Sequence, residues 1–303
     1  MNRTRLNLLL LAVVTGLVLA VAWERRQAED ETVPLLPFGE TDVASIALRH
    51  PGKPAIELRR IDGSFQLTAP FEAPAEAVEV AGILNLTSLD SERQLAVTDV
   101  SLAELELDPP NYEVQINDTV LQVGGVEPIE FRRYLRIGDT VHLVPDPPSA
   151  ALDADPSDLV AKRLIPADRT IVQIELPELT LAAADPGWTL LPDDPEASAD
   201  QKQQLVDAWQ NARAMWHKLP DDFGATKPDI RITLDDGSTV TPTIVKRDPQ
   251  LVLGRPDLGI HQHLSRALVD TLLRLPDPPA EDEARDESLD VDAVVGNAVP
   301  DGD

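Results

Sequence analysis

The chain has 303 residues, of which 53 are acidic and 26 are Lys or Arg, so its formal net charge is −27. A chain this acidic lacks the basic face that binds phosphates, so we expect no nucleic-acid partner. Cysteine is absent from the sequence, which excludes disulfides, thiolate metal sites and a cysteine nucleophile.

An apolar segment at residues 6–23, from Leu6 to Trp23, predicts a membrane-spanning helix near the start of the chain. At about 1.5 Å per residue it would span roughly 27 Å, close to the hydrocarbon thickness of a bilayer. Arg3 and Arg5 precede the segment and favour a cytoplasmic N-terminus, which places the bulk of the chain outside the cytoplasm. We therefore expect residues 1–26 to be an anchor in the lipid bilayer and residues 27–39 to be a tether.

Two alternatives to the anchor remain open. Ala20, Val21 and Ala22 have the small-x-small form of a cleavage site, so the segment is also compatible with a cleaved signal peptide. The other alternative is a buried helix of a soluble domain. The anchor and the signal peptide both place the body of the protein outside the cytoplasm.

Residues 40–276 contain a weak internal repeat, which predicts two similar modules at 40–167 and 168–276. Each module opens with an antiparallel meander of three short strands, with a turn before the third strand. The predicted strands are 43–48, 56–58 and 65–67 in the first module, and 171–176, 179–181 and 188–190 in the second. Two further hairpins with Asx or Gly turns follow in each module, and a short helix that ends near Pro166 or Pro276 closes it.

A helix is predicted after each meander. Pro74 is suited to the start of the first helix. Ser198 and Gln201 have the spacing of a capping box at the start of the second. Trp209 and Trp216 fall on one apolar face of that second helix, and at helical spacing we expect them in the core rather than at a ligand.

The predicted fold class is α+β: one N-terminal transmembrane helix, two similar antiparallel-sheet-plus-helix modules with helices on one face, and a disordered acidic tail. The tail, residues 277–303, holds ten acidic residues against Arg285 alone. With so little apolar content, it cannot offset the entropy of its own ordering.

Three motifs carry a resemblance to a known family: GSFQLTAP at residues 63–70, LDPP at 107–110, and RYLR at 133–136 followed by VHLV at 141–144. They resemble the bacterial domain-of-unknown-function family 4340, over roughly residues 1–276. Phe65 and Glu106 stand where members often have Trp and Gly. The resemblance implies a cell-envelope protein with one N-terminal membrane helix and no assigned reaction. Some members are encoded beside gliding-type ABC transporter components, which implies a transporter accessory role by analogy.

Candidate metal sites are weak. His261 and His263 flank Gln262, and on a strand both would point to the same face. No acidic third ligand has a suitable spacing, so an ordinary polar sheet face is the alternative. A second candidate, a calcium loop at Asp153, Asp155 and Asp158, lacks the glycine that such a loop requires, and helix capping accounts for the same residues. We expect no cofactor.

A cluster of arginines stands out in so acidic a chain. Strand alternation places Arg132, Tyr134 and Arg136 on one face and Arg133 on the other. These arginines either pair with neighbours such as Glu127 or Glu130 or form a patch that contacts an anion or a partner.

The sequence contains no G-x-S-x-G, no Gly-rich phosphate loop and no H-E-x-x-H, so we expect no enzyme. The predicted function is binding or scaffolding by a single-pass protein of the bacterial inner membrane, with its bulk on the periplasmic side. Partners would be membrane proteins such as subunits of an ABC-type transporter. The alternative is a freestanding periplasmic binder of a small envelope ligand, in a cleft between the modules. An uncharacterised envelope enzyme is the third hypothesis.

Overall fold

The computed structural model describes residues 13–19, 33–147, 149–221, 223 and 228–277. The chain divides into two compact units. The first unit takes the chain up to Lys162 together with Trp216–Leu219 and Asp257–Ile260. The second takes Arg163–Met215, Pro220–Pro256 and the chain from His261 onward.

The first unit is built on a nine-stranded antiparallel sheet and a small two-stranded sheet of order β1-β6. The large sheet has the order β5-β4-β3-β2-β8-β9-β10-β11-β7. The strands are β1 (Val33–Pro34), β2 (Ser45–Arg49), β3 (Ile56–Ile61), β4 (Ser64–Ala69), β5 (Ala73–Pro74), β6 (Asp90–Ser91), β7 (Arg93–Ala96), β8 (Tyr112–Ile116), β9 (Thr119–Val126), β10 (Arg132–Ile137) and β11 (Thr140–Pro145).

The turn between β3 and β4 shows how the sequence sets the register of this sheet. Asp62 and Gly63 both have positive φ, at 49° and 84°, as a type I′ hairpin turn requires. The turn pairs Ile61 with Ser64, and Leu58 then faces Leu67. Both leucines are at most 1% exposed, so the register that the turn sets also buries the apolar face of the hairpin.

One helix packs against the hydrophobic core of the first unit. The helix Ala77–Leu84 buries Val80, Ile83 and Leu84, and the short helix Ser149–Leu152 approaches it at Gly82. A Cβ on Gly82 would lie 2.7 Å from the Cβ of Ala151, so this approach requires glycine.

Further strands form a five-stranded sheet of order β14-β13-β12-β16-β17 and a four-stranded sheet of order β15-β20-β19-β18. The strands are β12 (Ile171–Glu175), β13 (Thr180–Ala183), β14 (Trp188–Leu191), β15 (Trp216–Lys218), β16 (Arg231–Leu234), β17 (Thr239–Val240), β18 (Thr243–Lys246), β19 (Leu251–Arg255) and β20 (Ile260–Leu264). The helices Ala199–Asn211 and Leu268–Leu273 belong to the second unit.

The two units share a strand order over five strands. The order β14-β13-β12-β16-β17 in the second unit corresponds to β4-β3-β2-β8-β9 in the first. Beyond these strands they differ: β10 and β11 continue the large sheet of the first unit, whereas β18, β19 and β20 lie in a separate four-stranded sheet. The architectures of the two units are therefore not copies of each other.

The helix Ala199–Asn211 begins as predicted and ends earlier than predicted. The capping box is confirmed, because Ser198 Oγ accepts the Gln201 backbone N–H at 3.2 Å and Gln201 Oε1 accepts that of Ser198 at 2.9 Å. Trp209 is fully buried as expected. The placement of Trp216 on the same helix was wrong: the chain becomes extended at Ala212, whose carbonyl accepts the N–H of Leu164, and Trp216 lies in β15 with 41% of its surface exposed.

The predicted α+β class with a transmembrane helix is also wrong. The described chain is mostly β-sheet with few helices. In strands such as β3, β4 and β20, buried residues alternate with less buried ones, which is the period of a strand and not of a helix. No helix among the described residues is long and apolar enough to cross a membrane.

Much of the predicted anchor, tether and tail lies outside the described residues. Of the predicted span at residues 6–23, the structure describes 13–19, a helical stretch that rises roughly 10 Å at about 1.5 Å per residue. The described chain resumes at Val33 within the predicted tether, and it ends at Asp277, the first residue of the predicted tail.

Candidate functional site

A cavity of about 400 Å³ lies within the first unit, and all of its lining residues belong to that unit. Its volume is typical of sites that hold small ligands. Three parts of the chain supply its polar residues: the loop that follows β2, the segment after the helix Ser149–Leu152, and β15. These residues are His50, Lys53, Asp155, Ser157, His217 and Lys218.

His50 lies at the end of β2 and is held by its neighbours. Its ring stacks on Tyr112 with ring centroids 5.2 Å apart, and its side chain is only 8% exposed. Its Nε2 is 3.6 Å from Asp153 Oδ1, too far for a hydrogen bond. The buried Nε2 therefore has no hydrogen-bond partner among the described residues.

His217 in β15 is buried to 5% exposure, and its tautomer follows from one contact. Its Nδ1 lies 3.1 Å from the carbonyl oxygen of Ser157. Because a carbonyl only accepts, Nδ1 carries the hydrogen and Nε2 of the neutral ring is an acceptor. That Nε2 is buried and has no hydrogen-bond partner in the described chain.

The surroundings of His217 keep its ring neutral. Burial lowers the pKa of His217 most strongly, and the charge of Lys162 lowers it further. The Ser157 carbonyl, Glu76 and Asp158 act in the opposite direction without reversing the shift. At neutral pH the cavity therefore has an uncharged imidazole in its wall.

Two lysines line the cavity, although the whole sequence has only six. Lys53 Nζ donates to Asp155 Oδ1 at 3.1 Å, and this hydrogen bond and charge raise the pKa of Lys53. Lys218 is exposed, and the described part of the chain holds no ion-pair partner for it. Of the two lysines that line the cavity, Lys53 is therefore paired with Asp155, and Lys218 has no ion-pair partner among the described residues.

Apolar groups form the remaining wall. Ile56 from β3 is 2% exposed, and Leu219 at the end of β15 is 40% exposed. Pro54, Pro70 and Pro156 complete this surface. An apolar wall with a few polar groups is the usual composition of a small-molecule site.

The predicted histidine pair lies in the second unit, outside this cavity. His261 and His263 are both half-buried on one face of β20, while Gln262 is buried on the other. His261 meets Phe223 edge-on at 5.1 Å, and His263 Nδ1 is 3.4 Å from Gln250 Oε1. Within the described residues no three His, Cys, Asp or Glu side chains are grouped to hold a metal.

The three aspartates of the calcium-loop candidate make other contacts. Asp158 Oδ2 accepts the backbone N–H of Asp155 at 2.9 Å, and Asp155 pairs with Lys53. Asp153 lies beside His50, with a side chain that is 74% exposed.

The predicted arginine patch, Arg132, Tyr134 and Arg136, lies on β10 and is half-buried throughout. Arg132 pairs with Glu92 and with Glu130, the latter at 2.9 Å. Arg136 Nε donates to the carbonyl of Gly138 at 2.9 Å. Arg133 pairs with Asp146 at 2.7 Å.

The cavity itself was not predicted from the sequence. His50 and His217 are 167 positions apart in the numbering, and no local motif connects them. The only available signal was the scarcity of lysine, which makes Lys53 and Lys218 unusual residues in this chain.

The fold and the cavity define a mostly β protein with a ligand-sized site in its first unit. The family model of DUF4340, a domain of unknown function, matches residues 66–219, about half of the chain. The chain therefore belongs to the DUF4340 family, which confirms the resemblance seen in its motifs. No curated protein and no solved structure matches the chain.

Proposed function

We propose that this protein is a ligand-binding module that holds a small molecule in the cavity of its first unit. The observation that carries the proposal is the pair of buried imidazoles, His50 and His217, each with an Nε2 that lacks a hydrogen-bond partner in the described chain. A buried polar group without a partner costs about 1–3 kcal/mol. A ligand that donates a hydrogen bond to the acceptor Nε2 of His217, or one that forms a hydrogen bond with Nε2 of His50, would remove that cost.

The contacts in the cavity favour binding over catalysis. Ser157 contacts His217 through its backbone carbonyl, so the pair lacks the hydroxyl-to-imidazole hydrogen bond of a nucleophile and its base. Lys53 is engaged by Asp155. Because neither contact activates a nucleophile, the polar residues of the cavity are better suited to holding a ligand than to reacting with it.

Filling the cavity tests this proposal. We expect the neutral probe 1-hexanol to raise the melting temperature of the full chain, because a ligand that binds only the native state stabilises it. Ser157→Phe should remove this shift, since it adds a ring where Ser157 lines the cavity and leaves the carbonyl that His217 contacts.

A matched control is Ser64→Phe, which adds the same ring at an exposed strand position of the first unit. Leu219→Trp, at a partly exposed wall residue, is a second filling variant if Ser157→Phe does not fold. No shift with the unaltered chain, or an equal shift in all variants, would contradict the proposal.

A second candidate function is attachment to a protein partner, as in the predicted role of a transporter accessory. It is favoured by the loop between β9 and β10, where Ile129 is 82% and Phe131 is 71% exposed. Large apolar side chains exposed near each other are typical of protein contacts. An Ile129→Ser, Phe131→Ser variant should lose transporter subunits in a crosslinked pull-down, and equal recovery would remove this candidate.

A further inference from the structure

We propose that the ligand of this cavity carries an uncharged hydrogen-bond donor, such as a hydroxyl group, on a compact apolar body, and that His217 selects it by accepting its hydrogen bond. This inference rests on the proposed function of the cavity. It adds the chemical class of the ligand and the residue that distinguishes it from ligands of similar shape.

The ring of His217 is fixed in the wall of the cavity. On β15 His217 is buried, whereas Trp216 and Lys218 on either side of it are exposed. Its Nδ1 lies 3.1 Å from the carbonyl oxygen of Ser157, and both residues line the cavity. This contact uses the one donor of the neutral ring. The ring can therefore offer a ligand its acceptor Nε2, which has no hydrogen-bond partner in the described chain.

An acceptor in the wall discriminates against ligands whose polar group can only accept. A carboxylate, a ketone or an ether would place a second acceptor against Nε2, and neither atom would gain a hydrogen bond. A hydroxyl group supplies the missing hydrogen. Because its oxygen also accepts, a hydroxyl group is compatible with either tautomer of His50, the other histidine that lines the cavity.

The charge of the donor follows from the surroundings of His217. Its side chain is buried, and this burial is the main cause of its lowered pKa. The charge of Lys162 also disfavours the protonated ring, and Glu76 and Asp158 oppose this effect without reversing it. An ammonium group held against Nε2 would lose its hydration in the same surroundings. An uncharged donor avoids this cost.

The remainder of the wall suits an apolar body. Lys53 and Asp155 pair with each other at 3.1 Å, so neither needs a counter-charge from the ligand. Ile56, Leu219 and three prolines supply apolar surface. The volume of about 400 Å³ has room for a cyclohexyl ring.

Probes that share a cyclohexyl ring and differ in the polar group test this inference. We expect cyclohexanol to bind the full chain roughly three- to tenfold more tightly than cyclohexanone, the difference that one hydrogen bond makes. Cyclohexylammonium should also bind more weakly than cyclohexanol. Isothermal titration calorimetry gives each dissociation constant, in about 0.15 M sodium chloride to screen the general attraction of an acidic chain for cations.

A variant of His217 identifies the selecting residue. His217→Phe removes the acceptor and retains a planar ring, so cyclohexanol and cyclohexanone should then bind equally. The matched control is His142→Phe, the same substitution at a buried histidine of the first unit that does not line the cavity. This control should retain the preference for cyclohexanol.

A measurement on the unaltered chain keeps the test decisive if His217→Phe does not fold. A ring nitrogen that accepts a hydrogen bond has its ¹⁵N resonance shifted upfield. Cyclohexanol should therefore shift the resonance of His217 Nε2 upfield, and cyclohexanone should shift it much less.

The outcomes separate the two proposals. If neither 1-hexanol nor any cyclohexyl probe binds, the ligand-binding function fails, and this inference fails with it. If the probes bind and Ser157→Phe blocks them, but cyclohexanone or cyclohexylammonium binds as tightly as cyclohexanol, only the inference about the ligand is overturned. A preference that survives His217→Phe, or an Nε2 resonance that cyclohexanol does not shift, overturns the role of His217.

Discussion

Two buried histidines of the first unit, His142 and His217, link its stability to pH. His142 is 9% exposed, with Nδ1 3.0 Å from Ser91 Oγ, and burial lowers its pKa below the ordinary value of 6.5, as it does for His217. As the pH falls towards 6, these histidines become protonated in the unfolded chain while their rings in the native chain stay neutral. The contribution of these two histidines to stability is therefore present above their ordinary pKa of 6.5 and is lost as the pH falls through their lowered native pKa.

We expect the urea concentration at which half of the protein is unfolded to decrease when the pH is lowered from 7.5 to 5.5. Each histidine contributes at most about 1.4 kcal/mol per pH unit. A His142→Gln, His217→Gln double variant should show a flatter dependence over this window. An equally steep dependence in the double variant would assign the effect to other groups.

Trp209 combines packing with one hydrogen bond. Its ring is fully buried in the core of the second unit, and its Nε1–H donates to the carbonyl of Leu272 at 2.8 Å. Trp209→Phe should cost about 2–4 kcal/mol of the free energy of unfolding, because it leaves a buried carbonyl without a donor and a void beside it.

Trp188 is the matched control for this prediction. Its Nε1–H also donates a hydrogen bond, to Gln203 Oε1 at 2.9 Å, but that contact is exposed. Water can replace the donor there, so Trp188→Phe should cost less than about 1 kcal/mol. Equal losses in the two variants, measured by chemical denaturation, would contradict the role given to Trp209.

At the scale of elements, the start of the helix Ala199–Asn211 depends on Ser198. Its hydroxyl oxygen accepts the N–H of Gln201, one of the donors that a helix leaves without an internal partner. Ser198→Ala should cost about 1 kcal/mol, and Ser198→Asn, which retains an acceptor, should cost much less. Thermal denaturation of the two variants distinguishes them, and a similar loss in both would argue against capping.

The sequence predicted those elements whose signals are local. The Asp62-Gly63 turn and the Ser198 cap are each determined by residues within a few positions, and both are confirmed. The end of the helix at Asn211 was missed because the pairing of Arg163 with Arg213 depends on residues far apart in sequence. The cavity was missed for the same reason, since His50 and His217 meet only in the folded chain.

At the scale of the whole molecule, the net charge of −27 opposes compaction. Sodium chloride screens this repulsion, with a Debye length of about 10 Å at 0.1 M and about 3 Å at 1 M. We expect the melting temperature to rise from 0.05 to 1 M sodium chloride. A flat melting temperature over this range would show that the carboxylates are compensated locally.

The division of the chain has a consequence for its synthesis. The first unit includes Trp216–Leu219 and Asp257–Ile260, and Ile260 is fully buried in its core. A ribosome that has translated Lys162 still needs roughly 5–20 s to reach Ile260 at the usual rate of elongation. The N-terminal unit is therefore not complete when its first 162 residues have been made. During synthesis, the core of this unit lacks Ile260 until most of the protein has been made.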